Sequence, residues 1–270
     1  MTIRFWSDLR SDEFRGLDPE RTVAVLPIAA IEQHGPHLPV SVDTTIMNAM
    51  LALAMERQGE GIDALVMPTL AVGKSNEHLH SPGTLTFSYA TAIASWIELG
   101  ESVLRAGLRK LVIVTSHGGN VDPMGIVCRE LRVRHGMMAV ATAWRRFGLP
   151  PGMYADLDAV HGIHAGDIET SLMLHFRPDL VKMEAAGTFT PVMVPMEAEY
   201  RYLRPTGMHA FAWMAQDVHP SGAAGDATLA TAEKGRLTAE LQADGFLAML
   251  SETARFPLAS LCGPAPSLSP

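Results

Sequence analysis

Residues 111–115, LVIVT, form an unbroken apolar run that ends on Ser116, His117, Gly118, Gly119 and Asn120. A short β-branched run with no polar alternation reads as a strand covered on both faces, as in a parallel sheet. Its neighbours fit that frame. Residues 22–31 (TVAVLPIAAI), 64–70 (ALVMPTL) and 139–143 read as further strands. Residues 44–56, 88–106, 121–135 and 168–175 carry helical spacing between and after them. Residues 226–254 read as a long C-terminal helix with Asp226 as its N-cap. This order predicts an α/β fold, a layered and mainly parallel sheet with helices on both faces. Such sheets bind ligands beyond the carboxyl ends of their strands.

The chain has 270 residues, enough for one large domain with a deep core; we expect that domain over 1–256 and a loosely held tail over 257–270. Residues 190–225 are irregular and proline-containing, and read as a lid or an oligomer contact. A net charge of −8 argues against nucleic-acid binding and against docking on an anionic membrane. No apolar run reaches the ~18 residues of a membrane span, and residues 1–16 lack the apolar stretch of a signal peptide. The two cysteines, Cys128 and Cys262, form no CxxC pair, which fits a reducing cytoplasm.

Acids and histidines gather at three places. Glu32 and His34 follow the first apolar run directly, and positions i and i+2 of an extended segment face the same side. A carboxylate and an imidazole so placed suit a Zn or Mn site. Asp43 follows, just before a helix, where it is either a ligand or only an N-cap. His117 ends the clearest strand, in a Gly-Gly turn that is either an incidental glycine-rich turn or a place for close backbone approach to a ligand. Asn120 is placed to cap the next helix or to orient a substrate group. The third cluster is His161-Gly-Ile-His164-Ala-Gly-Asp167-Ile-Glu169. Glu169 falls in a first helical turn, where the positive end of the helix suits a carboxylate. Asp167 reads better as a dipole complement, and His161 has no functional reading. The chain has no GxSxG for a serine nucleophile, and Cys128 falls mid-helix.

The segments LPIAAIEQHGPHLPVSVD, HSPGTLTFS, VTSHGGN, HAGDIETSLML and GAAGDATLATAEKG, in this order, resemble the creatininase (creatinine amidohydrolase) family. The resemblance implies a metal-dependent hydrolase that cleaves an amide C–N bond with activated water, in a layered α/β domain, usually hexameric. It implies two divalent ions, Zn or Mn, with Glu32, Asp43 and His117 on one, and His34 and the bridging Asp43 on the other. Creatininase adds a Glu where this chain has Gly119, so Glu169, or water, is expected to fill that role. His164 matches a substrate-contacting histidine and is the expected proton carrier. Glu169, if not a ligand, is the expected base. Creatininase encloses creatinine with tryptophans; Trp144 and Trp213 are the substitutes available here, Trp144 being the expected substrate contact. Related activities in the family leave a peptidase, a formamide hydrolase, a lactone- or ketone-ring hydrolase, or an inactive metal-binding member as alternatives.

Overall fold

The computed structural model describes residues 2–59 and 61–263. Five strands form one sheet: β1 (Ile3–Phe5), β2 (Val23–Ile28), β3 (Ala64–Val66), β4 (Lys110–Thr115) and β5 (Met138–Ala143). Their order is β1-β3-β2-β4-β5, and every pairing is parallel. β6 (Thr188–Phe189) and β7 (Gly225–Asp226) form a separate antiparallel ribbon. The helices are α1 (Val42–Arg57), α2 (Tyr89–Arg105), α3 (Val121–His135), α4 (Asp156–His161), α5 (Asp167–Phe176), α6 (Met193–Glu199), α7 (Ala215–Val218) and α8 (Ala232–Arg255), besides short 3-10 turns.

Side-chain alternation along the central strands makes two cores. Val23, Val25, Val112 and Val114 face α1, α5 and α8, meeting Met47, Leu172 and Phe246. Ala24, Leu26, Leu111 and Ile113 face α2 and α3, meeting Trp96, Val127 and Leu131. Both faces of the sheet are therefore dry, which is why β2 and β4 show no polar alternation. The expected fold class holds, and chains of known structure described below share it.

Local differences have physical reasons. β1 pairs with β3 although a three-residue strand carries almost no periodicity. β3 stops at Val66, and Leu70 makes only an isolated bridge to Ile28 after Pro68, which has no N–H to give to a ladder. Asp226 does not cap the long helix. It accepts from Thr228 N at 3.0 Å within a 3-10 turn, and Thr231 caps α8 by accepting from Lys234 N at 3.2 Å. Of the expected tail, residues 264–270 lie outside the described residues; a 3-10 turn at Leu258–Ser260 precedes them, with Leu258 buried.

Candidate metal centre

All five strands run the same way, so the residues after β2 and β4 emerge at one sheet edge. Ser116 Oγ ties that edge to α1 by donating to Asp43 O at 2.8 Å. Asp43 lies in the first turn of α1, behind the N-cap Ser41, and its carboxylate is buried rather than spent on capping. Glu32 Oε1 lies 3.1 Å from His117 Nδ1, and Asp43 Oδ2 lies 3.9 Å from the same nitrogen. His34 Nε2 lies 3.7 Å from Asp43 Oδ2 and 3.8 Å from Glu169 Oε2. The structure thus brings Glu32, His34, Asp43, His117 and Glu169 together, with Asp43 between the two histidines.

Each side chain is held from behind. His34 Nδ1 donates to Glu32 O at 3.0 Å, leaving Nε2 toward the acids. Glu169, in the first turn of α5, accepts from Ala165 N at 2.5 Å. Ala165 has φ of +54°, a left-handed conformation that costs a residue with a Cβ about 1 kcal/mol or more. That conformation presents both the Ala165 N–H to Glu169 and His164 to the centre. His164 Nε2 donates to Gln33 O at 2.5 Å, and His164 Nδ1 lies 3.6 Å from Glu32 Oε1.

The electrostatics describe a site short of positive charge. Both oxygens of Glu32, His34 Nε2 and Asp43 Oδ2 are buried without a hydrogen-bond partner among the described residues. Buried polar atoms are rarely left so. Burial raises the Asp43 carboxyl well above its ordinary value, and the charge of Glu32 adds to this. Burial also pushes Glu32 up, but the charges of His117, His164 and His78 outweigh it, and Glu32 is held low. Burial pushes His117 down, yet Glu32 and Glu77 overcome it and His117 is held high. His34 is held well below its ordinary value by burial and then by the neighbouring His164. A divalent cation would satisfy the orphaned carboxylate oxygens and the bare His34 nitrogen, and would offset the like charges of Glu32 and Asp43. One atom from each of Glu32, Asp43 and His117, and of His34, Asp43 and Glu169, lies within 4.8 Å of the others in its group. Mixed carboxylate and imidazole donors suit Zn or Mn.

Two residues missing from the sequence reading stand at the centre. Glu77 Oε1 lies 3.3 Å from His117 Nε2, and His78 Nε2 lies 3.4 Å from Glu32 Oε1. The family-like stretch HSPGTLTFS begins two residues later, at His80, which is exposed. The signal was an acid and a histidine side by side, Glu77-His78, in the loop after a predicted strand. Gln33 fixes the His78 tautomer: its Oε1 accepts from Gly35 N, so its Nε2 donates to His78 Nδ1 at 2.9 Å. His78 therefore carries its proton on Nε2, facing Glu32, and burial holds it at about 4.

Other expected residues lie elsewhere. Asn120 is buried and spent on scaffolding: Oδ1 accepts from Lys74 N at 2.9 Å, and Nδ2 donates to Ala29 O and Thr115 Oγ1. Trp144 is 3% exposed and packs on Phe246 with centroids 4.8 Å apart, so its ring belongs mainly to the core at the cleft wall. Asp167 does more than complement a dipole; it is buried and paired with Lys234 Nζ at 2.5 Å, tying α5 to α8. The Cys128 thiol is buried and pushed up to about 12 by that burial, which suits no nucleophile. A cleft of about 1020 Å³ opens over the centre, with Arg145, Phe211 and Trp213 among its walls.

The fold and this convergent set of metal-capable acids and histidines define the class, a layered α/β hydrolase. The family profile described as Creatinine amidohydrolase matches residues 7–250, and the chain belongs to the creatininase family. It is an amidohydrolase of that family. It is 33% identical over 244 residues to the mycofactocin precursor peptide peptidase of Mycolicibacterium smegmatis, covering 88% of this chain and 89% of the relative. It is 32% identical over 192 residues to the creatinine amidohydrolase of Pseudomonas putida, covering 64% and 71%. Among solved structures, "Creatininase Mn" superposes with a TM-score of 0.70 at 27% identity, covering 92% of this chain and 97% of that one. A mutant creatininase of Zn-Zn type superposes with a TM-score of 0.71 at 28% identity, again covering 92% and 97%.

Proposed function

We propose that the chain hydrolyses an amide C–N bond at a centre of two divalent ions, Zn or Mn. Glu32, Asp43 and His117 would hold one ion, and His34, Asp43 and Glu169 the other. The observation that carries this is the set of unpartnered buried atoms on Glu32, His34 and Asp43, all aimed at one space. When bound, such ions polarise a carbonyl and acidify water near neutral pH. With an ion bound, His34 and His117 would each turn a bare ring nitrogen to it, the other nitrogen being held by a carbonyl acceptor. His164 lines the cleft with Nε2 committed to Gln33 O, so Nδ1 is the nitrogen able to take a proton and give it to the leaving amine.

The substrate is an amide larger than a single small ring. The cleft, at about 1020 Å³, stands at the upper end of the ~300–1,000 Å³ usual for small-molecule sites. A short peptide or a substituted cyclic amide fits that size better than creatinine. Two solved relatives are an Mn and a Zn-Zn creatininase, and relatives sharing 32–33% identity over most of this chain are precursor peptide peptidases. The test strips the protein with a chelator, restores Zn or Mn, and follows hydrolysis of creatinine, cyclic amides, formamides and short peptides. Activity should vanish on stripping and return with metal. Hydrolysis that persists at full rate in stripped protein would refute the proposal.

A further inference from the structure

His117 has two ring nitrogens with different surroundings. Nδ1 faces Glu32 and Asp43, and Nε2 faces away into the loop after β3. Around Nε2 stand Lys74 O at 3.1 Å, Ser75 Oγ at 3.3 Å and Glu77 Oε1 at 3.3 Å. Glu77 is the charged member of that set. Its other oxygen, Oε2, accepts from Lys74 Nζ at 2.6 Å, which fixes the carboxylate in place. Glu77 is also secluded, with its side chain 12% exposed.

Gly119 makes this arrangement possible. A Cβ there would lie 2.0 Å from Glu77 Oε1, 2.4 Å from His117 Nε2 and 2.8 Å from Lys74 O. The Glu77 carboxylate and the outer edge of the His117 ring occupy the volume that any side chain at 119 would need. Two segments far apart in sequence are thus cut to fit: a bare backbone after β4, and an acid on a 3-10 turn, Asn76–His78, after β3.

We infer that Glu77, anchored by Lys74, is the positioning residue for His117: it holds the ring by its outer nitrogen so that Nδ1 presents a lone pair to the divalent ion. The inference rests on the metal-centre reading above. A carboxylate behind a ligating histidine fixes its tautomer and rotation and makes the ring a better donor. Loss of such a partner typically weakens metal binding by ~10–100-fold. The effect is expected to be selective, because His34 takes its support from Glu32 O and owes nothing to Glu77.

The test measures Zn binding to full-length wild type, Glu77→Ala and Glu77→Gln, by competition with a chromogenic chelator. It also records the visible spectrum of the Co-substituted proteins. Wild type should bind two ions per chain. Glu77→Ala should weaken one of them by ~10-fold or more, leave the other unchanged, and alter the Co spectrum. Glu77→Gln, which keeps an acceptor oxygen, should recover part of the affinity. A wild type that binds no ion overturns the function reading and this inference together. A wild type that binds two ions, with Glu77→Ala binding both equally well, overturns the inference alone. If Glu77→Ala does not fold, Glu77→Gln decides: a weakened single ion supports the role, and wild-type affinity at both overturns it.

Discussion

His34 and His117 address the same carboxylate, Asp43 Oδ2, through opposite ring nitrogens: Nε2 of His34 at 3.7 Å and Nδ1 of His117 at 3.9 Å. The difference follows from which ring edge the backbone supports. His34 is braced at Nδ1 by the Glu32 carbonyl two residues before it, and His117 at Nε2 by the loop after β3. Asp43 therefore sits between two imidazoles, each braced on its far side. Asp43→Ala is expected to lose both ions and at least ~100-fold in turnover, more than the loss from a residue that only orients a ligand. His34→Ala and His117→Ala should each lose one ion. Metal per chain by elemental analysis, beside the hydrolysis rate, checks this; an Asp43→Ala protein with two tightly held ions would contradict it.

Asp158 holds the substrate side of the centre together without touching it. Its Oδ1 accepts from Asp167 N at 2.8 Å and its Oδ2 from Asp226 N at 2.9 Å. It thereby joins the start of α5 to β7, on either side of the bridge between His164 and Ala224. Glycine at 166 is required there, since a Cβ would lie 2.3 Å from Asp158 Oδ1. Asp158→Asn replaces one acceptor by an N–H that faces another N–H. The expected cost is ~1–3 kcal/mol of stability, with a fall in turnover because His164 loses its fixed position. Chemical denaturation and kcat check the two parts. Unchanged kcat in a folded Asp158→Asn protein would separate Asp158 from the site.

The sheet and the gathering of acids and histidines at its edge were readable from sequence because they share one cause. β2 and β4 are dry on both faces, so their apolar runs stand out, and the polar residues that break those runs are the ones at the sheet edge. Glu32, His34 and His117 fall there, and Asp43 and Glu169 fall in first helical turns, where an acid is conspicuous. The less legible parts depend on contacts distant in sequence. Nothing local marks Glu77 as paired with His117, because the pairing depends on the absence of a side chain at Gly119. Asn120 reads equally as a helix cap or a substrate contact, and only its three scaffold partners, Ala29, Lys74 and Thr115, reveal its role. Lys110 starts β4 yet is fully buried, its Nζ donating to Glu20 O, Ala254 O and Phe256 O, a clamp that no sequence window spans.

His37 supplies a pH dependence with a definite sign. It is 1% exposed, its Nε2 pairs with Thr170 Oγ1 at 2.8 Å, and its Nδ1 has no partner among the described residues. Burial, and then the charge of His164, push it down to about 4 from an ordinary 6.5. Between those values the unfolded chain takes a proton at this ring and the folded chain does not. Stability present above pH 6.5 is therefore lost as the pH falls toward 4. His78, also held at about 4, contributes in the same direction. In metal-free protein wild type should lose more of its urea midpoint across that window than His37→Asn, the difference isolating His37 from Asp43, whose raised carboxyl acts in the opposite sense. Equal slopes for the two proteins would show that His37 keeps its proton on folding, and that the pocket around Thr170 admits the charged ring.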